Sequence, residues 1–280
     1  MRNWSKRHPL VAFYVFAYAI TWLVALPLIA SEQGWIEAQV PPVLHYVAGY
    51  GPMLAAFLIT WFVGGRAGLR ELAGRMTKWQ VGWAWLAIAI LGPFALLVIS
   101  AIVARGLGSP WPDIGLMGKI NYVPNLTVVG VWLFWLLTYG VGEETGWRGF
   151  ALPEWQRRWN ALAASLLLGV FWVLWHVPFF FYLDTYVAMG FAAFPFFAVS
   201  VLSGAVVFTW LYNSTGGSAL MAILFHASLN TASATSAAEG TPAMVFSILF
   251  VVWAVALVII YGPAHLAHVP SMPEQPSVAR

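Results

Sequence analysis

The chain has 280 residues, of which 61% are hydrophobic, 16% aromatic and only 8% charged, with a net charge of +3 and no cysteine. A soluble domain carries about 25% charged residues, so this composition excludes a water-facing globular surface and demands a membrane. The missing cysteine excludes disulfides, thiol nucleophiles and thiolate-held metals, and no basic tract is long enough to suggest a nucleic-acid partner.

Apolar runs near or above about 18 residues read as membrane helices. Eight can be drawn in chain order, at 9–30, 42–64, 81–104, 126–152, 161–183, 188–212, 217–235 and 242–263. The first follows a basic segment of Arg2, Lys6 and Arg7, as a signal peptide would. Its apolar stretch outruns the roughly 7–15 residues of a signal h-region, so it reads as a helix span. Gly51-Pro52 and Gly216-Gly217 mark tight turns or close helix approach, and Pro153 and Pro178 mark breaks or kinks. No internal repeat is visible. The expected organisation is an all-α, polytopic helical bundle forming one membrane domain over 1–263, with a Pro-rich, disordered tail over 264–280.

Basic residues accumulate on the cytoplasmic side of membrane proteins. With both termini cytoplasmic, eight spans place 11 of the 13 basic residues inside and leave only Arg105 and Lys119 outside. One helix more or fewer would destroy this segregation.

The fourth run ends in Glu143-Glu144-Thr145-Gly146-Trp147-Arg148. A charge at bilayer depth costs roughly 2.5–3.5 kcal/mol on insertion scales, so charged residues there are rare and usually functional. Glu144 and Arg148 are spaced i, i+4 with the acid first, the favourable order for a helix ion pair. An architectural pair accounts for those two but leaves Glu143, about 100° round the helix, without a local cation. Counted from the inner end of its span, Glu143 lies about 15 Å deep at 1.5 Å per residue.

The fifth run carries His176, one turn beyond Trp172, whose ring can pack against it. The seventh carries His226 and Asn230, which share a helix face. These histidines fall about 20 Å and about 14 Å deep, so three polar groups on different helices reach similar depths. Helical bundles build sites from such facing side chains. A carboxylate and a neutral imidazole can hold and deprotonate water, while a second histidine and an amide can donate hydrogen bonds to a developing oxyanion. That outfit suits hydrolysis of an amide. Other hydrolytic designs fit less well. No His-Glu-x-x-His zinc motif occurs, and Ser218 lacks a Gly-x-Ser-x-Gly setting. Gly140-Val141-Gly142-Glu143 resembles the Gly-x-Gly-Asp of intramembrane aspartyl proteases, but the chain's aspartates, Asp113 and Asp184, lie in expected outer loops. A zinc ion held by Glu143, His176 and His226 would match a His2Glu ligand set, and spacing leaves that alternative open.

These motifs together resemble the type II CAAX prenyl endopeptidases, also called the CPBP or abortive-infection family of intramembrane proteases. Glu143 to Arg148, continuing to Pro153, resembles the family's Glu-Glu-x-x-x-Arg motif. Trp172-Val173-Leu174-Trp175-His176 is similar to its Phe-x-x-x-His motif with Trp in place of Phe. His226-Ala227-Ser228-Leu229-Asn230 is similar to its His-x-x-x-Asn/Asp motif, and Trp210 to Ser218 resembles the turn before it. The resemblance covers about 130–235. It implies an endopeptidase in which Glu143 and His176 activate water, His226 and Asn230 bind the oxyanion, and Glu144, Arg148 and Trp172 support them. A metal-free mechanism is expected, because no obvious carboxylate is left to support the histidines. Eukaryotic relatives cut C-terminal segments of prenylated proteins. The implied substrate is a peptide or protein at the inner leaflet, C-terminal and lipidated in that case, in a multi-pass protein of a prokaryotic plasma membrane. The competing readings are a non-catalytic scaffold or bacteriocin-immunity factor, and a proton-coupled transporter. Clustering of the polar residues in the second half argues against the transporter, whose repeats would place them in both.

Overall fold

The computed structural model describes residues 2–235, 237 and 239–268. The principal helices are α1 (Pro9–Glu32), α2 (Gly51–Met76), α3 (Trp83–Gly106), α4 (128–156), α5 (Ala161–His176), α6 (Phe194–Ser214), α7 (Ala219–Ser233) and α8 (Thr241–Tyr261). Packing runs α1 to α2, α2 to α4, α4 to α7, α7 to α3, α3 to α8, α8 to α6 and α6 to α5. Trp175 on α5 closes the circuit by donating its indole N–H to Thr21 Oγ1 on α1 at 2.9 Å. Large apolar side chains such as Leu23, Leu91 and Ile259 remain exposed on the outside of the bundle, which is the surface that lipid requires.

Among the described residues six helical stretches, Pro9–Glu32, Pro42–Met76, Trp83–Gly106, Ala161–Phe181, Phe191–Ser214 and Thr241–Tyr261, are long and apolar enough to cross a membrane. The chain is a polytopic helical membrane protein. The other two expected spans differ from simple apolar rods. α7 is apolar but shorter, because Gly216 and Gly217 both adopt positive φ and delay its start to Ala219. α4 is interrupted by π turns at Leu136–Gly140 and Trp147–Ala151, which flank the α-helical Val141–Gly146. Such wider turns, with i→i+5 hydrogen bonds, frequently mark functional sites. α2 also departs from expectation. It bends at Gly65 (φ 57°) and continues as an arm to Met76.

Local chemistry starts the helices that bear the candidate residues. Side-chain oxygens of Thr127, Asn160 and Ser218 accept the N–H groups of Gly130, Ala163 and Met221 at the beginnings of α4, α5 and α7. Each satisfies a donor that the helix leaves unpaired. Backbone carbonyls of Pro263 and Ala264 accept the N–H groups of Leu162 and Ala161, and Leu266 is fully buried. The expected disordered tail is therefore packed through these residues, since the first turn of α5 needs acceptors. Its remainder, 269–280, lies outside the described residues.

Two glycines fix α4 in the bundle. A Cβ on Gly142 would sit 2.5 Å from the Gly49 carbonyl oxygen, and one on Gly146 would sit 2.5 Å from Pro52 Cβ. Small residues at i, i+4 let two backbones approach closely, and here α2 presses against α4 beside the paired glutamates.

Candidate active site

The buried centre of the bundle is polar where α4, α5 and α7 meet. Glu143, Glu144, Arg148, His176 and His226 are each at least nine-tenths buried. Arg148 Nη1 lies 3.0 Å from both carboxylate oxygens of Glu144, the pair expected from their spacing. The guanidinium carbon is 4.6 Å from the centroid of Trp172 and 4.4 Å from that of Phe208. Among the described residues its Nε and Nη2 lack hydrogen-bond partners, and the two aromatic faces compensate the cation electrostatically.

Glu143 is not left free by this pairing. Its Oε2 accepts the indole N–H of Trp172 at 2.7 Å and that of Trp147 at 3.1 Å. Sequence reasoning missed Trp147, although its i+4 spacing from Glu143 was a usable signal. It placed Trp172 as a ring beside His176. The ring centroids are indeed 6.1 Å apart, but the tryptophan does more. Its carbonyl lies 2.7 Å from His176 Nδ1, and its ring lies 5.9 Å from that of His226. One residue thus touches or adjoins Glu143, Arg148 and both histidines.

His226 Nδ1 lies 2.8 Å from Glu144 Oε1. This corrects the expectation that no carboxylate supports the histidines. Glu144 was assigned wholly to Arg148, yet a carboxylate has acceptor capacity for both. Asn230 is half-buried one turn along α7, and its side-chain amide makes no hydrogen bond among the described residues.

The anchored atoms determine what the others can do. A carbonyl and a carboxylate only accept, so His176 and His226 each donate Nδ1–H, and a neutral ring then presents Nε2 as an acceptor. Among the described residues, Glu143 Oε1, His176 Nε2 and His226 Nε2 make no protein hydrogen bond, yet none is sealed from a small molecule. Glu143 and His176 are each within electrostatic reach of His226. Among the described residues, no three His, Cys, Asp or Glu side chains converge as metal ligands. The His2Glu zinc alternative does not fit this geometry, and no step below passes through a metal.

Residues 125–232 match the family model described as type II CAAX prenyl endopeptidase, Rce1-like. This stretch is similar to the Rce1-like family. All the candidate residues of the site fall inside the matched stretch. The chain is also 30% identical over 140 residues to CAAX prenyl protease 2 of Methanococcus maripaludis, an alignment covering 49% of this chain and 51% of that relative. It therefore spans about half the length of the curated relative that it matches.

One buried histidine lies outside the Rce1-like stretch and was not singled out from sequence. His45 Nδ1 is 2.6 Å from Tyr182 Oη. Its ring is 4.8 Å from that of Phe179, which in turn is 5.6 Å from that of His176. A hydrophobic ring thus stands between His45 and the centre.

Proposed function

We propose that the chain is an intramembrane endopeptidase that hydrolyses a peptide bond near the cytoplasmic leaflet. Glu143 takes a proton from a water held between Glu143 Oε1 and His176 Nε2. Asn230 and His226 donate hydrogen bonds to the oxyanion that forms as this water attacks the carbonyl. Glu144 and Arg148 support His226, and Trp172 orients Glu143 and His176. The observation that carries this reading is that Glu143, His176 and His226 each have one polar atom anchored and one open, around a single indole. Preorganised donors and acceptors of this kind lower barriers because little reorganisation is needed during reaction.

The proposed setting is a prokaryotic plasma membrane, crossed eight times by one domain with both termini in the cytoplasm. The substrate is a peptide or protein presented at the inner leaflet. By analogy with the name of the matched relative, a prenylated C-terminal segment is the first candidate.

The test is cleavage by the purified protein in nanodiscs, read by mass spectrometry on prenylated and unprenylated C-terminal peptides. Wild type should cut at a defined bond, Glu143→Gln should not, and a chelator should leave the rate unchanged. Equal cleavage by Glu143→Gln would remove the carboxylate from the mechanism, and chelator sensitivity would reinstate a metal.

A further inference from the structure

The contact between Glu144 and His226 constrains how His226 can serve as a donor. Glu144 faces Arg148 through both oxygens, and a carboxylate in that contact can only accept from His226. The proton on Nδ1 is thereby committed to Glu144. His226 then has a proton on Nε2, its open atom, only as an imidazolium. A neutral His226 would present a lone pair to an oxyanion and repel it.

Glu144 and Arg148 are both fully buried beside His226, so the groups that hold Nδ1 are fixed while Nε2 stays open to a substrate. An imidazolium beside a reacting carbonyl is also an acid. Amide cleavage requires one, because an amine leaves as a neutral molecule only if its nitrogen gains a proton.

We propose that His226 is the general acid that protonates the leaving nitrogen, with Glu144 as the positioning residue that holds its Nδ1 and aims Nε2 at the reacting bond. This assignment rests on the hydrolase reading above. As the water oxygen bonds to the carbonyl carbon, one water proton passes to Glu143 and the carbonyl π electrons move to oxygen. When the tetrahedral intermediate collapses, the C–N bond breaks and its electron pair stays on nitrogen. That nitrogen takes the Nε2 proton of His226, whose Nδ1–H remains on Glu144. The products are a carboxylic acid, an amine, neutral His226 and protonated Glu143. Transfer of the proton from Glu143 to His226 resets the site.

The experiment compares a peptide that wild type cuts with its analogue carrying a thioester at the scissile bond. A thiolate leaves without first gaining a proton. General acid catalysis contributes roughly 100- to 10,000-fold. His226→Gln, which retains an N–H for the oxyanion, should slow amide cleavage at least about 100-fold and thioester cleavage less than about tenfold. Glu144→Gln should show the same selective loss in the protein that remains folded, and His226→Asn gives a second route should His226→Gln fold poorly. Asn230→Ala, as an oxyanion control, should slow both substrates alike. Equal losses on both substrates in the His226 and Glu144 variants would overturn the assignment and leave His226 as a hydrogen-bond donor only. Thioester cleavage undiminished in Glu143→Gln would instead sink the underlying hydrolase reading.

Discussion

Trp172 donates its indole N–H to Glu143 Oε2 at 2.7 Å. The matching position in the family motif is phenylalanine, which has no such donor. The hydrogen bond selects which carboxylate oxygen is fixed and which is open. Trp172→Phe keeps most of the ring beneath Arg148 but removes the N–H. A hydrogen bond to a charged group contributes about 1.5–3 kcal/mol, and 1.36 kcal/mol is tenfold in rate. We expect kcat on a cleaved peptide to fall by about 10- to 100-fold with KM nearly unchanged. An unaltered kcat would show that Trp147 alone suffices to hold Glu143.

Arg148→Ala should act mainly on stability. The variant strands Glu144, whose only other side-chain partner among the described residues is His226, in a fully buried position. Breaking a buried ion pair costs about 3–5 kcal/mol. Thermal unfolding in detergent should show a large decrease. A variant with wild-type stability and no activity would argue for direct participation of Arg148 in the reaction.

Asn230→Ala should have the opposite profile. The amide makes no hydrogen bond among the described residues that the fold would miss, so the melting temperature should hardly move. Removal of an oxyanion donor costs about 100- to 1,000-fold in kcat. A loss smaller than about fivefold would take Asn230 out of the mechanism.

Gly146→Val tests the backbone contact behind the site. Even a Cβ at this position would meet Pro52 backbone at 2.7 Å, and backbone cannot rotate away. Overpacking of this kind costs about 1–3 kcal/mol. We expect lower stability and, because α4 must shift, lower kcat in whatever protein remains folded. Unchanged unfolding would mean that α2 can move aside freely.

Different parts of this protein were legible in the sequence to different degrees. The apolar runs announced a polytopic helical membrane protein, because a bilayer imposes length and composition on each helix separately. The Glu144–Arg148 pair was legible for a similar reason, since both partners lie on one helix and its rise and pitch set their separation. The π turns at Leu136–Gly140 and Trp147–Ala151 were not legible. They change the phase of α4 without leaving a distinct residue pattern. Nor was the folding of residues 264–268 onto α5, which answers an unpaired helix end and not a feature of the tail itself.

The sequence by itself thus determined the membrane setting, the helical class and the set of polar residues at similar depth. Each of these depends on spacing along a single segment. Only the tertiary structure decided that Glu143 receives Trp172, that Glu144 is shared between Arg148 and His226, and that both histidines present Nε2. The contacts of Glu143 with Trp172 and of Glu144 with His226 join different helices, and they depend on how each helix is rotated against its neighbours. Rotation is set by the packing of the whole bundle, including the glycines that let α2 approach α4, and spacing along one helix does not encode it.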